Sequence, residues 1–330
     1  MKFRSSKKPR RPGERPEAGG DMAFFQLIRT VLKSSRLLTQ LSNLAIGRRP
    51  SNQFWTWEVY GLGIATKSVL GVPQRKVLAL GSDHGVNLTT VPDEMEESLS
   101  SDAYVTWSHW RAGLNFANNR QVIAMQHPWV SYRKKIGISL SDHRAGTLAF
   151  VPHTVPGMKT EDFNIHDYVS RLLSLPKTFH PITLCLHVHD VSVKRILDLT
   201  KQGVAVETVG HSLSPHYVKR FYSLARNFRY ATSPIIGSQL FYMQEFGVDY
   251  FLFNPSSYQG KLLGYRGPAL DATLTKNIEL AFSLENVSQA SEEKSSIIQS
   301  AMGINYSDAS SENIRTLLLA RIPGKRRLPL

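Results

Sequence analysis

Five of the eleven histidines in this 330-residue chain fall in polar turns that close apolar, strand-like runs. They are His84 in Asp83-His84-Gly85, His127 in His127-Pro128, His153 in Pro152-His153-Thr154, His189 in His187-Val188-His189-Asp190, and His211 beside Gly210. Imidazole titrates near neutrality, so a histidine at such a position can take a proton from a hydroxyl or donate a hydrogen bond to phosphate. Asp83 can orient His84 or raise its pKa, and Gly85 lets a substrate approach closely. His84, assisted by Asp83, is therefore the candidate base, set against a turn that merely holds a hydrogen-bonded histidine.

A sixth turn, Ser233-Pro234-Ile235-Ile236-Gly237-Ser238, opens a helix that Gly247 stops. Backbone N–H groups at a helix start point outward and can hold phosphate. The plain alternative is an ordinary cap with Ser238 as the N-cap. Pro152-His153-Thr154 could offer an imidazole and amides to the same anion. His127 could point into a cleft or simply fix a turn. His187 and His189 alternate onto one strand face, and with His211 they could ligate a metal. No cluster of convincing spacing completes that site, so a continuing strand is the simpler account and no metal is expected. Neither a G-x-G-x-x-G fingerprint nor a G-x-x-x-x-G-K-[ST] loop occurs. The single cysteine, Cys185, excludes an internal disulfide and lies in an apolar run, as a buried inert thiol would.

The elements that position these turns alternate regularly. Apolar spacing predicts a helix over 23–47, amphipathic and free of acids, either packed on the body or lying on a membrane surface. After Phe54-Trp55-Thr56-Trp57-Glu58-Val59-Tyr60 comes a helix to about Leu70. Strands are predicted at Lys76–Leu80, Ala103–Trp107 and Gln121–Met125, with an exposed acidic helix in Pro92–Ser101. Arg133-Lys134-Lys135 reads as a basic linker. Beyond it, strands at Gly146–Pro152, Ile182–His189, Val204–Val209, Arg229–Thr232 and Val248–Phe253 alternate with helices at Tyr168–Leu175, Val193–Lys201, Tyr217–Asn227 and Ser238–Phe246. Further helices follow at Ala272–Ser283, Ser291–Ala301 and Ser311–Arg321. This alternation predicts an α/β protein whose mostly parallel sheet is covered by helices.

The net charge of +14 sits at the ends. Residues 1–50 hold 12 Lys/Arg against 3 Asp/Glu, the last ten residues carry four more basic groups and no acid, and the 270 between them net only +1. A folded body so nearly neutral argues against nucleic-acid binding, while the basic ends could meet anionic lipid. No run of about 18 apolar residues is present to span a membrane. Residues 1–22 form a basic tail expected to be disordered, and Met22 is a plausible alternative start.

With these motifs in place, the chain resembles the GT-B glycosyltransferase superfamily, and within it bacterial proteins of surface-polysaccharide (capsule and lipopolysaccharide) assembly. The likeness covers roughly 76–320. It is carried by Thr232–Ser238 with Phe241-Tyr242 and Gly247, similar to the segment that meets donor phosphates, and by Asp83-His84-Gly85, similar in position to the loop supplying an acceptor-activating base. His127-Pro128 is similar to the HP pair of bacterial sialyltransferases but lies before the linker, so its role is not carried over. No D-x-D occurs, and only Glu245 could serve as the acid that grips a donor sugar. The resemblance implies two Rossmann-like lobes with a cleft between them, the first shortened, and a helical C-terminal extension. The lobes would span 23–132 and 133–320, with a basic tail at 321–330. It implies a cytoplasmic, metal-independent enzyme without cofactor, able to sit peripherally on the inner membrane face. That enzyme would move a sugar from a nucleotide-activated donor to a polysaccharide or lipid-linked acceptor. His153, Thr154, Asp190, Gly210, Ser233, Gly237 and Ser238 would surround the donor, with His127 and His189 near the cleft. The rivals are a nucleotide-sugar epimerase or glycerophosphate transferase on the same fold, and a metal-dependent hydrolase using His187, His189 and His211.

Overall fold

The computed structural model describes residues 19–48, 50, 54–153, 159–160, 163–253, 262–263 and 270–322. It is a mixed α/β protein with two parallel sheets. The first joins β1 (Gly81–Ser82), β2 (Ala103–Thr106) and β3 (Gln121–Ala124) in that order. The second is built from β4 (Thr147–Phe150), β6 (Ile182–Cys185), β7 (Ala205–Glu207), β8 (Tyr230–Ser233) and β9 (Asp249–Leu252). A two-residue antiparallel pair joins β5 (Lys159–Thr160) to β10 (Leu262–Leu263).

The second sheet runs β7-β6-β4-β8-β9, parallel throughout. Its first strand is central, and the chain winds outward to one edge and then to the other. All residues of β4, β6 and β8 are buried, because helices cover both faces of the central strands. The helices Val193–Lys201 and Ser238–Phe246 fall where their apolar spacing put them. Gly247, at φ 90°, closes the latter. Strand order reverses beside β4, and in such sheets ligands bind beyond the carboxyl ends at that point.

The first sheet departs from expectation at its edge. Lys76–Leu80 does not pair, and the ladder begins only at Gly81, opposite Tyr104. Side chains occupy backbone acceptors there: Trp57 Nε1 donates to the Leu80 carbonyl at 2.8 Å and Lys67 Nζ to the Lys76 carbonyl at 3.1 Å. The acidic stretch forms a short helix, Glu94–Ser98, but Glu96 is turned inward rather than exposed.

Three segments lie elsewhere than their sequence positions suggested. The predicted 23–47 helix is two helices, Gly19–Ser34 and Arg36–Ala45, divided at Ser35, which caps the second by accepting from the Leu38 N–H. The first of them packs on the edge of the second sheet, where Gln26 donates to the Val206 carbonyl at 3.0 Å and Lys33 pairs with Glu207 at 2.8 Å. Arg133-Lys134-Lys135 is no open linker but the last turn of a helix, Pro128–Lys135. Arg133 bonds Glu245 at 2.6 Å and lies over the rings of Phe246 and Tyr222. The C-terminal helices Glu292–Met302 and Glu312–Ala320 return to the first sheet. The Gln126 and His127 N–H groups donate to the Ser307 and Met302 carbonyls at 3.0 and 2.9 Å, and Arg321 reaches Gln121 at 2.6 Å. Among the described residues, no helix is long and apolar enough to cross a membrane.

Candidate active site

A cavity of about 400 Å³ lies at the carboxyl ends of the strands, beside the reversal point of the second sheet. Its size falls within the roughly 300–1,000 Å³ of small-molecule sites. Loops from both sheets wall it: His84-Gly85 after β1, Val151-Pro152-His153 after β4, Leu186-His187 after β6, Thr208-Val209-Gly210 after β7, and Ser233 with Gly237-Ser238-Gln239 after β8. His84, His153, Gly210, Ser233, Gly237 and Ser238 are thus brought together. Thr154 lies outside the described residues.

His84 rests against the rings of Trp55 and Tyr60, with centroids 4.6 and 5.2 Å away. Enclosure by protein, with His153 as a lesser cause, holds its imidazole below the ordinary value. The ring keeps a water-accessible face on the cavity, which limits the drop. It is therefore neutral at pH 7 and able to accept a proton.

Asp83 does not assist it. Successive residues leaving a strand point to opposite sides, and Asp83 points into the core. Its Oδ1 accepts from Arg111 Nε at 2.9 Å, its Oδ2 accepts from Thr106 at 2.6 Å, and the Tyr104 hydroxyl lies 3.0 Å from Oδ1. Arg111 continues to both oxygens of Glu96, at 2.7 and 2.9 Å. Burial works against the charged guanidinium, but Asp83, Tyr104 and Glu96 outweigh it and lift its pKa. Among the described residues no hydrogen bond joins Asp83 to His84. Asp83 anchors the turn that carries His84.

Gly85 brings the two sheets' loops into contact. Its φ is +73°, and a Cβ there would lie 2.3 Å from Ser238 Oγ. That hydroxyl accepts from the Val86 N–H at 2.9 Å, tying the first sheet's loop to the start of helix Ser238–Phe246. The N-cap of this helix is Gly237, not Ser238, and no side chain caps it. The start of this helix, without a side-chain cap, lines the cavity at Gly237, Ser238 and Gln239. Ser233 spends its hydroxyl inside the turn, donating to the Ile235 carbonyl at 2.5 Å and accepting from Tyr250 at 2.7 Å. It shapes the wall rather than offering a donor. Gly210, at φ +99°, is packed 2.6 Å, measured from a would-be Cβ, from the Lys33 carbonyl.

The other predicted residues are placed differently. Asp190 bonds Arg195 at 3.0 Å and does not line the cavity. Glu245 is likewise absent from its wall, held by Arg133. His189 stands exposed outside, its ring 4.8 Å from His187. His127 is fully buried behind the site, accepting from the Trp129 N–H at 3.1 Å and lying 3.3 Å from the Tyr242 hydroxyl. Burial pulls its imidazole down to about 3. The unfolded chain takes up a proton below about pH 6.5 that the native core refuses, so stability is lost as pH falls from there toward about 3. Melting curves across that range should show the loss, and His127→Gln should flatten the slope; an unchanged slope would exclude His127 as its source.

Two further residues line the cavity: His187, which the sequence offered only as a metal ligand or a strand residue, and Tyr60, to which it gave no role. His187 stacks on His153 at 4.1 Å and lies 3.4 Å from the Tyr60 hydroxyl. Burial, then His153, His189 and His211, bring it down to about 3. Among the described residues no three His, Cys, Asp or Glu side chains are grouped to hold a metal, so the His187, His189 and His211 ligand set of the hydrolase rival is not assembled. Tyr60 sits at φ +53°, an uncommon conformation for a bulky residue, held by its N–H donating to the Ser212 carbonyl at 2.7 Å. The aromatic run Phe54–Tyr60 was the available signal for it.

No Asp, Glu, Lys or Arg lines the cavity among the described residues. Its polar equipment is three imidazoles, hydroxyls, one amide and a helix start. No protein-family model matches the chain. No curated protein matches its sequence. A solved structure of the wall teichoic acid polymerase TagF is similar at TM-score 0.39 and 12% identity, over 72% of this chain and 67% of that one.

Proposed function

We propose that the cavity binds a nucleotide-activated donor and transfers its sugar to a hydroxyl of a polysaccharide or lipid-linked acceptor. One juxtaposition carries this proposal: a neutral histidine from one parallel sheet faces an uncapped helix start at the reversal point of the other. In the proposed reaction, His84 takes the acceptor's proton and the freed oxygen attacks the anomeric carbon. The bond to the donor diphosphate breaks, and the nucleoside diphosphate leaves with the electron pair. The N–H groups of Ser238 and Gln239 and the imidazoles of His153 and His187 meet the charge that develops on the leaving group. With no carboxylate on the described wall, that charge falls to these groups. The two lobes of this proposal are the two sheets with their helices, the C-terminal helices packing against both.

The same wall makes donor binding proton-linked. Burial holds His84 and His187 below the ordinary imidazole value, and a diphosphate entering beside them favours their charged forms. Affinity for UDP, CDP or GDP should rise as pH falls below about 6.5, by up to about tenfold per pH unit for each imidazole charged. Calorimetric titrations in buffers of different protonation enthalpy count the protons taken up. Affinity that ignores pH would remove the anion from this site.

A further inference from the structure

The helix Arg36–Ala45 is turned inside out. The residues it buries are Thr39 and Asn43, one turn apart. Asn43 donates its amide to the Leu213 carbonyl and accepts from Arg48, both at 3.1 Å. On the outer side Leu37, Leu41 and Leu44, at spacing i, i+4, i+7, expose 64%, 53% and 65% of their surface. A helix lying between a protein core and water shows the reverse pattern. The preceding helix continues the face: Thr30 is fully buried while Ile28, Val31 and Leu32 are exposed. Between the two helices runs a groove of about 470 Å³, bordered by Ile28, Leu32 and Leu38. A continuous apolar face of this extent marks a contact surface.

Charge selects what covers it. No Asp or Glu occurs between Asp21 and Glu58. Arg29 and Arg36 stand exposed among the apolar residues, while Lys33 and Arg48 turn inward to Glu207 and Glu58. A second copy docked face to face would set these arginines against like charges with no acid to answer them. The chain's own ends are no better suited: residues 1–18 carry seven Lys/Arg and two Glu, residues 323–330 three basic residues and no acid, and neither is rich in apolar side chains. We propose that the face formed by Gly19–Ser34 and Arg36–Ala45 lies on an anionic lipid bilayer, its leucines in the acyl boundary and its arginines at the headgroups.

The face is joined directly to the cavity wall, since the Lys33 carbonyl accepts from the His211 N–H at 3.1 Å and Gly210 lines the cavity. Docking would bring the site within reach of a lipid-linked acceptor. That consequence rests on the transferase proposal; the lipid contact itself does not.

Sedimentation of the full chain with vesicles tests it. Vesicles of phosphatidylcholine with added phosphatidylglycerol should bind the protein at least about tenfold better than phosphatidylcholine alone. Leu37→Ser, Leu41→Ser and Leu44→Ser together should weaken binding by about a hundredfold, since each substitution removes about fivefold. Arg29→Glu with Arg36→Glu should abolish the preference for the anionic lipid. All the altered side chains are exposed, so melting temperature should hold, and nucleotide binding in solution should be unaffected. A chain that ignores both vesicle types overturns the proposal, as does a dimer that the leucine substitutions dissociate.

Discussion

His84→Ala is expected to lower turnover by about 10²–10⁴-fold, the usual contribution of a positioned general base, while donor affinity stays within about twofold of the parent. The split follows from where the ring sits. His84 enters from the first sheet against Trp55 and Tyr60, whereas the groups proposed to meet the donor's phosphates, His153, His187 and the helix start, belong to loops of the second. Removing the base should leave those contacts whole. Without a carboxylate behind it, the imidazole takes its orientation from aromatic packing, so Trp55→Ala should reproduce part of the loss. Burial holds the ring below its ordinary pKa, so the acid limb of kcat/KM should lie below about pH 6.5 and disappear in the alanine variant. Unchanged turnover would sink the assignment of His84 as the base.

Arg111→Ala should destabilise the protein by about 3–5 kcal/mol, the cost of leaving buried charges without their partner. Asp83, completely buried, and Glu96, nearly so, both rely on that guanidinium, and Thr89 gives it two further acceptors. Urea denaturation read by tryptophan fluorescence would measure the loss. Asp83 is one residue from His84, so the variant should also loosen the catalytic turn, and turnover should fall beyond what the unfolded fraction explains. Arg111→Lys should recover little, because one ammonium cannot serve Asp83, Glu96 and Thr89 from a single plane. A cost below about 1 kcal/mol would show that the network is not holding the turn.

Much of this arrangement was legible in the sequence because parallel α/β units write their period plainly. Val193–Lys201 and Ser238–Phe246 could be bounded to the residue, since apolar spacing and a stop glycine act locally. The partners of buried charges are not local. Arg111 lies 28 positions from Asp83, and chain adjacency favoured the wrong pairing, His84 with Asp83, although neighbours leaving a strand diverge. Periodicity likewise shows that a helix has an apolar side without saying which side meets the protein. Thr39 and Asn43 gave no warning that they, and not the leucines, face inward. His127 and His84 follow strands alike in sequence, and only the packing of Trp107 and Tyr242 around His127 makes one a core residue and leaves the other on the cavity.

The return of the C-terminal helices to the first sheet fixes an order of events in time. The amides of Gln126 and His127 bond carbonyls of Ser307 and Met302, and Arg321 reaches back to Gln121. On the ribosome, where chains usually fold from the N-terminus as they emerge, these bonds of the first sheet must wait for residues made after every strand of the second. The first sheet is thus synthesised before the second and completed after it, and a chain released before residue 302 would have the second sheet's strands but an unfinished first sheet.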